Sequence, residues 1–421
     1  VSETFFGETA VSDNLEEKKG SSIMKSPIGL RAIAVSAPDR ILTNDHWRET
    51  QPETVAQAEE RIWMWKKPAD WNEGSRAFNL EMGPYAEDPF RGAHKRRLLP
   101  EGGTGLSLEA DAARKALDAA GLEPGDVDLL ICTSFLPDEP GIGGSAWLAQ
   151  ELGLPGAAWN LESACSSALI GFNTACSLIE SGQHRKVLVV TSCIYSRVSI
   201  DSDPISWGVG DAAVAMVVSE VEAGHGRLGS KSLHSADTCG AIRYELMTDD
   251  DGVPYHRLRA GKKAARVLRE TSERYLMECT EGALAQAGLT IDDVDFCAFN
   301  TPLAWYASFC SRVLGVERER TISTYPFYAN VGPALMGLNL FHAAHSGRVE
   351  KGDTVLLYTV GSVSSCCASV VRLGELGLGP LPAHFDTEEL ETFEAEAVAF
   401  RAQLDADLDA ELAPAPRSAV A

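Results

Sequence analysis

A chain of 421 residues, 45% hydrophobic and 23% charged, carries enough apolar material for one large globule or two fused halves. No run reaches the roughly 18 uncharged apolar residues of a spanning helix, and the N-terminal stretch VSETFFGETAVSDNLEEKKG lacks a basic start followed by an apolar core, so a cytoplasmic protein without a membrane association is expected. A formal net charge of −23 repels nucleic acid at long range, so any phosphate-bearing partner must meet a local basic patch.

In chain order, residues 1–26 form a polar, acidic extension. A first half follows over 27–220, interrupted at about 48–95 by a Trp-rich, charged insert (RIWMWKKPADW) that reads either as a substrate or dimer cap or as a surface excursion. The basic run HKRR closes it at 94–97. ALDAAGLEPGDVDLLICTS at 116–134 recurs as ALAQAGLTIDDVDFCAFNT at 283–301. In both copies an Ala/Leu helix stops at a glycine, Gly121 or Gly288, and a short acidic turn leads into an apolar strand. GQHRKVLVVTS (182–192) likewise corresponds to GRVEKGDTVLLYTVGS (347–362). Near-continuous apolar strands between helices suit sheets buried on both faces. The sequence therefore predicts an α/β fold of two βα halves, 27–220 and 221–375, layered around a shared central helix pair. RLRAGKKAARVLRE (257–270) is a second basic island. The tail, 376–421, ends in acidic, Ala/Pro-rich sequence and reads as peripheral.

The ten cysteines show no metal-type CxxC pairs. Cys132, Cys193 and Cys297 lie in apolar runs where a thiol acts as a small hydrophobe, so neither disulfides nor a metal site is expected. Cys165 differs. In NLESACSSALIGFNTACSLIESG it precedes a small-residue, then amphipathic run, which puts the thiol at a strand-to-helix junction. There the unpaired N–H groups of a helix N-terminus favour thiolate, and Ser163, Ala164, Ser166 and Ser167 leave room for a thioester. Glu162 reads as a general base or as a hydrogen-bonded carboxylate. No GxGxxG opens a strand-to-helix turn, which disfavours dinucleotide chemistry.

Taken together, ACSSA around Cys165, WGVGDAAVAMVV (207–218), DFCAFNTPLAWYASFCSRVLG (295–315), YANVGPALMGLNLFHAAHSGRVEKGD (328–353) and VLLYTVGSVSSCCASVVRL (355–373) resemble, in this order, the ketosynthase III proteins of the thiolase superfamily. The resemblance spans 27–373 apart from the insert. It implies a thiolase-like αβαβα arrangement of two pseudo-symmetric halves and a cysteine, Cys165, that takes an acyl group. It also implies a histidine and an asparagine that hold the second thioester during malonyl decarboxylation. The asparagine maps to Asn330, which by itself also reads as a turn residue. The histidine position carries Asn300, followed by Thr301. An amide can donate a hydrogen bond but cannot exchange a proton near neutral pH as imidazole does. His256 and His345 are the alternative histidines.

By the same resemblance, backbone N–H groups of Cys165 and Ser362 form the oxyanion hole, and Trp47, Arg96 and Arg97 line the coenzyme entrance. Arg257 and Arg259 suit carrier phosphates or a solvated face. No permanent cofactor is expected; coenzyme A or phosphopantetheine arrives as the thioester of an acyl-CoA or an acyl carrier protein. The resembling proteins are homodimers, for which VLVVTSC (187–193) would supply the interface. Three readings follow: an acyltransferase passing the acyl group to a small-molecule or carrier acceptor in natural-product biosynthesis, a decarboxylative condensing enzyme, or a non-catalytic partner subunit.

Overall fold

The computed structural model describes residues 26–63, 76–139, 141–199, 203–252, 254–261, 264–361 and 364–412. The N-terminal extension up to 25, the RIWMWKKPADW centre of the insert from 64 to 75 and the end of the tail from 413 lie outside them.

In the first half, β1 (Ile28–Ser36), β2 (Ile41–Thr43), α1 (Asn44–Thr50), α2 (Pro52–Trp63), α3 (Arg76–Met82) and β3 (Lys95–Arg97) precede α4 (Gly105–Ala120) and β4 (Leu129–Cys132). Then come α5 (Ser145–Leu152), β5 (Ala157–Asn160), α6 (Ser167–Glu180), β6 (Lys186–Ile194) and β7 (Asp211–Glu220). The second half contains β8 (Gly226–His234), a separate hairpin of β9 (Ile242–Thr248) and β10 (Pro254–Ala260), α7 (Ala264–Ala287), β11 (Phe296–Phe299), α8 (Tyr306–Leu314), α9 (Tyr325–Tyr328), α10 (Ala334–His345), β12 (Thr354–Val360) and β13 (Ser365–Arg372). β14 (Gly377–Leu378) and α11 (Thr387–Leu412) complete the chain.

The repeat in the sequence is a repeat in space. One sheet runs β14-β1-β7-β6-β4-β5 and the other β8-β13-β12-β11. In each, two antiparallel pairings are followed by a parallel one: β1 with β7, β7 with β6, β6 with β4, and correspondingly β8 with β13, β13 with β12, β12 with β11. The recurring helices α4 and α7 end at Gly121 and Gly288, whose positive φ values of 63° and 69° fit the left-handed stop. Alanines of α4 pack on one face of the first sheet. α6 and α10 fill the space between the sheets, and α7 and α8 cover the outer face of the second. This is the expected five-layer αβαβα order around a central helix pair.

Two placements differ from expectation. β6, expected at a two-fold interface, lies inside its sheet between β7 and β4 and is buried almost throughout; its apolar run reflects burial on both faces rather than contact with a partner. The edges of this sheet are β5 and the two-residue β14. The tail, expected to be peripheral, docks as far as α11: Glu394 of that helix is fully buried, receiving Arg318 Nη1 at 2.8 Å and Nη2 at 3.0 Å and the Ser323 N–H at 3.0 Å. Arg312 and Arg401 both reach Glu81 of α3, and both also pair with Asp405, so the insert and the tail lock together over α8. Truncating one partner of such a buried pair strands the other charge in the interior. Glu394→Ala should therefore cost about 3–5 kcal/mol in equilibrium urea denaturation, whereas Arg318→Met combined with Glu394→Leu should recover most of that loss.

Candidate active site

Cys165 is presented by a strained turn. Ala164 has φ 49°, a left-handed conformation that disfavours any residue with a Cβ. Its N–H donates to Glu162 Oε1 at 2.6 Å and its carbonyl accepts from Ser167 Oγ at 2.7 Å. A short 3-10 turn over Ala164–Ser166 then feeds α6, so the thiol stands at the N-terminal end of a helix buried between the two sheets.

The second half closes on this turn through serines. Ser163 Oγ is hydrogen-bonded to Ser364 Oγ at 3.1 Å and to Ser365 Oγ, and Ser166 Oγ donates to the Ser365 carbonyl at 2.7 Å. Ser235 Oγ donates to the Gly361 carbonyl at 2.5 Å and accepts the Ser364 N–H at 3.0 Å. A Cβ at Gly361 would lie 2.8 Å from the Ser163 carbonyl oxygen, so only glycine allows this approach. Ser362 lies outside the described residues, but Gly361 and Ser364 on either side of it pack against the Cys165 turn.

Asn330 and Asn300 converge on Gly332. Asn330 follows α9, and its backbone bridges Gly208 and Gly210 ahead of β7, donating at 2.9 Å and accepting at 3.0 Å. Its Oδ1 accepts the Gly332 N–H at 2.8 Å, which leaves Nδ2 as its donor. Asn300, at the end of β11, is fully buried; its Nδ2 donates to the Gly332 carbonyl at 2.7 Å, while its Oδ1 is buried without a hydrogen-bond partner. Gly332, at φ 53°, has no room for a side chain: a Cβ there would lie 2.8 Å from Cys193 Sγ and 3.7 Å from the Tyr195 ring. The Tyr195 hydroxyl in turn lies near the Cys165 thiol and favours its ionised form. Asn300 and Asn330 thus meet at one crossing of the chain, Gly332, which packs on Cys193 and Tyr195, and these two lie within electrostatic reach of Cys165.

Burial, reinforced by the Glu162 carboxylate, pushes the half-buried Cys165 thiol up to about 12, against the opposing pull of Tyr195 and of the cysteine's own backbone N–H. This runs against the expectation of a thiol lowered by the helix N-terminus: lost hydration and a negative neighbour outweigh the hydrogen bonds that favour thiolate. Glu162 keeps one side open to solvent. The chain around its carboxyl still strips enough water to raise its pKa, opposed by the Ala164 N–H and the Ser167 hydroxyl.

The remaining expected residues are placed elsewhere. Thr301 is buried and accepts from Asn339 Nδ2 at 3.0 Å, facing α10. His256 is exposed on β10 opposite Leu246, and His345 donates to the Gly379 carbonyl at 2.8 Å. Trp47, Arg96 and Arg97 are buried rather than lining an open coenzyme entrance. Arg96 stacks 4.5 Å from Trp47 and 5.4 Å from Phe90 and donates to the Trp207 carbonyl and Asn44 Oδ1; burial lowers it to about 10. Arg97 donates to the Pro38 carbonyl at 3.1 Å. Arg257 pairs with Asp203 at 2.8 Å and Arg259 with Glu245 at 3.2 Å. Arg96, Arg97, Arg257 and Arg259 are therefore answered by acids and carbonyls of the fold itself. Among the described residues no cluster of His, Cys, Asp and Glu is placed to hold a metal ion, and no helix is long and apolar enough to cross a membrane.

Tyr195, Tyr244 and the site role of Cys193 were not foreseen from sequence. An aromatic residue just past an apolar strand reads as core, and no spacing rule sets it beside a thiol.

Comparison with known proteins gives a consistent picture. The family model for 3-oxoacyl-(acyl-carrier-protein (ACP)) synthase III matches residues 159–236, and the model for the C-terminal part of the same synthase matches 284–373. The beta-ketoacyl-(acyl-carrier-protein) synthase III of Brucella abortus is 28% identical over 285 residues, 67% of this chain and 88% of the relative; that of Rhizorhabdus wittichii is 29% identical over 286 residues with the same coverage. Among solved structures, the 3-oxoacyl-(acyl carrier protein) synthase III of Pseudomonas aeruginosa superposes with a TM-score of 0.68 at 18% identity, covering 83% of this chain and 98% of that one. Cerulenin-bound OleA of Xanthomonas campestris gives 0.66 at 18% identity, covering 82% and 97%.

A thiol held this high reacts in proportion to its small thiolate fraction. Alkylation of Cys165 by iodoacetamide should therefore rise about tenfold per pH unit from pH 7 to 9 without a plateau. Glu162→Gln removes the repelling charge and should accelerate alkylation at fixed pH; peptide mass spectrometry of the modified cysteine reads both outcomes.

Proposed function

Because the chain belongs to the 3-oxoacyl-(acyl carrier protein) synthase III family of thiolase-fold proteins, we propose that it is an acyltransferase. Cys165 receives an acyl group from a carrier-protein or coenzyme A thioester and passes it to a small-molecule or carrier acceptor. The thiolate attacks the thioester carbonyl, the Cys165 N–H at the mouth of α6 steadies the oxyanion, and the departing carrier thiolate takes up the proton that Cys165 gave up. Glu162, beside the thiol and raised by desolvation, is placed to receive that proton in the interim and later to draw one from the acceptor.

The observation that carries this reading is Asn300. It occupies the position where the family's histidine is expected, and its amide N–H is committed to the Gly332 carbonyl. No titratable group at that position can share the charge of a malonyl-derived enolate. Thioester exchange needs only a thiolate and oxyanion donors, whereas decarboxylation needs the further stabilisation. The condensing alternative retains one supporting feature: Asn330 keeps its Nδ2 as a donor next to the same crossing.

A homodimer fits the exposed edge of the first sheet better than its interior. β5 is that edge, and Trp159 on it, together with Trp147 and Ile142 nearby, is exposed. An open edge strand flanked by large apolar side chains is a template for two-fold pairing.

Three outcomes are expected. Intact-mass analysis should show acyl loading that Cys165→Ala abolishes and Cys176→Ala, with its thiol in the core, preserves. Malonyl thioesters should release carbon dioxide at least about a hundredfold more slowly than acyl transfer proceeds, the usual cost of one missing oxyanion donor; rapid malonyl-dependent carbon–carbon bond formation would establish the condensing alternative. Trp159→Glu should convert a dimer to a monomer in light scattering, and a monomeric unaltered protein would refute the β5 assignment.

A further inference from the structure

The space behind the thiol is filled by a small core of its own. Cys193, Tyr195, Val198, Val209 and Leu258 are buried together, with Phe135 and Tyr244 packed against them. Tyr195 is 3% exposed and Cys193 is fully buried. The Phe135 ring meets both tyrosines edge-on, at 5.8 Å from Tyr195 and 5.7 Å from Tyr244.

Tyr244 arrives on the β9–β10 hairpin, and the hairpin is fixed in place. The Leu258 N–H donates to the Val198 carbonyl at 2.9 Å, and Arg257 pairs with Asp203 at 2.8 Å. On the opposite side, Gly332 is already in contact with Cys193 and the Tyr195 ring. A long alkyl chain leaving Cys165 in this direction would have to displace rings packed from three elements, and well-packed cores resist such insertion.

The wall is nevertheless not apolar at its tip. The Tyr195 and Tyr244 hydroxyls lie close to each other and to the Cys165 thiol, and the Tyr244 hydroxyl is buried without a well-formed hydrogen bond. A buried phenol with no acceptor favours any ligand that brings one.

We propose that the Tyr195–Tyr244 pair selects the acyl group: Cys165 accepts short acyl chains carrying an oxygen beyond the thioester carbonyl, such as a 3-hydroxyacyl group, in preference to plain or long alkyl chains. The selection rests on Cys165 being the acyl acceptor. In the loading step the bond from the Cys165 sulfur to the acyl carbon forms, the bond from that carbon to the carrier sulfur breaks, and the thiol proton leaves with the carrier. Tyr195 limits length beside the sulfur, and Tyr244 supplies the hydrogen bond that distinguishes oxygenated from plain chains.

The test compares loading of the full-length protein by butyryl-, 3-hydroxybutyryl- and octanoyl-pantetheine, read by intact mass over time. Expected are 3-hydroxybutyryl loading at least about tenfold faster than butyryl, the scale on which a single recognised hydroxyl discriminates, and octanoyl loading slower still. Tyr244→Phe, which keeps the ring, should bring the 3-hydroxybutyryl-to-butyryl ratio close to one, and Tyr195→Ala should raise octanoyl loading relative to butyryl. Octanoyl loading as fast as 3-hydroxybutyryl, or an unchanged ratio in Tyr244→Phe, would overturn the selection while leaving acyl transfer through Cys165 intact. Failure of every thioester to load Cys165 would overturn both. Selective loading without onward transfer to any acceptor would uphold the selection and refute the acyltransferase reading.

Discussion

Polar groups buried where two sheets meet over the mouth of a helix must find partners without water, and the placement of α6 depends on the serines that do so here. Ser163, Ser166 and Ser167 form local bonds or bonds to Ser364 and Ser365 of the opposite half. The serine layer is the seam between the halves at the mouth of α6, although no serine side chain caps the helix. Gly361 permits it by having no Cβ, and Ser235 pins Gly361 from β8's end. The Cys165 turn is therefore positioned by contacts from both halves.

The same seam sets the chemistry. A thiol held in a dry junction is near the electrophile but poorly ionised, and a carboxylate at Glu162 raises it further. On the proposed acyl-transfer reading, ionisation is coupled to substrate, with the Tyr195 hydroxyl favouring the thiolate. A neutral amide at Asn300 fits this economy of charge. Asn300 contributes a hydrogen bond to the Gly332 crossing, where a cation would sit unpaired in the interior.

The appendages outside the repeat serve the same centre indirectly. α3 of the insert and α11 of the tail are joined by Arg312, Arg401, Glu81 and Asp405, while Arg318 and Glu394 anchor α11 beneath them. Phe385, just before α11, stacks on His342 of α10 at 3.9 Å. Burial there lowers His342 to about 3, so it stays neutral and belongs to the packing of the central helix pair rather than to proton transfer.

Much of this was legible in the residues. The duplicated helix–glycine–acidic turn–strand pattern determined the two halves, because period and stop signals are local properties of the chain. The small residues around Cys165 determined that a helix could start there with a thiol at its mouth. Other features depended on tertiary structure. An apolar strand such as β6 reads the same whether a partner subunit or two neighbouring strands cover it, and only the sheet order assigns it to the interior. Arg96 and Arg257 read as free cations until the fold supplies their acceptors. The thiol's ionisation is a balance of hydration lost and charges gathered from Glu162 and Tyr195, and Tyr244 reaches the site from a separate hairpin far along the chain. Such contacts between distant segments have no signature in local spacing, because they exist only once the chain has closed on itself.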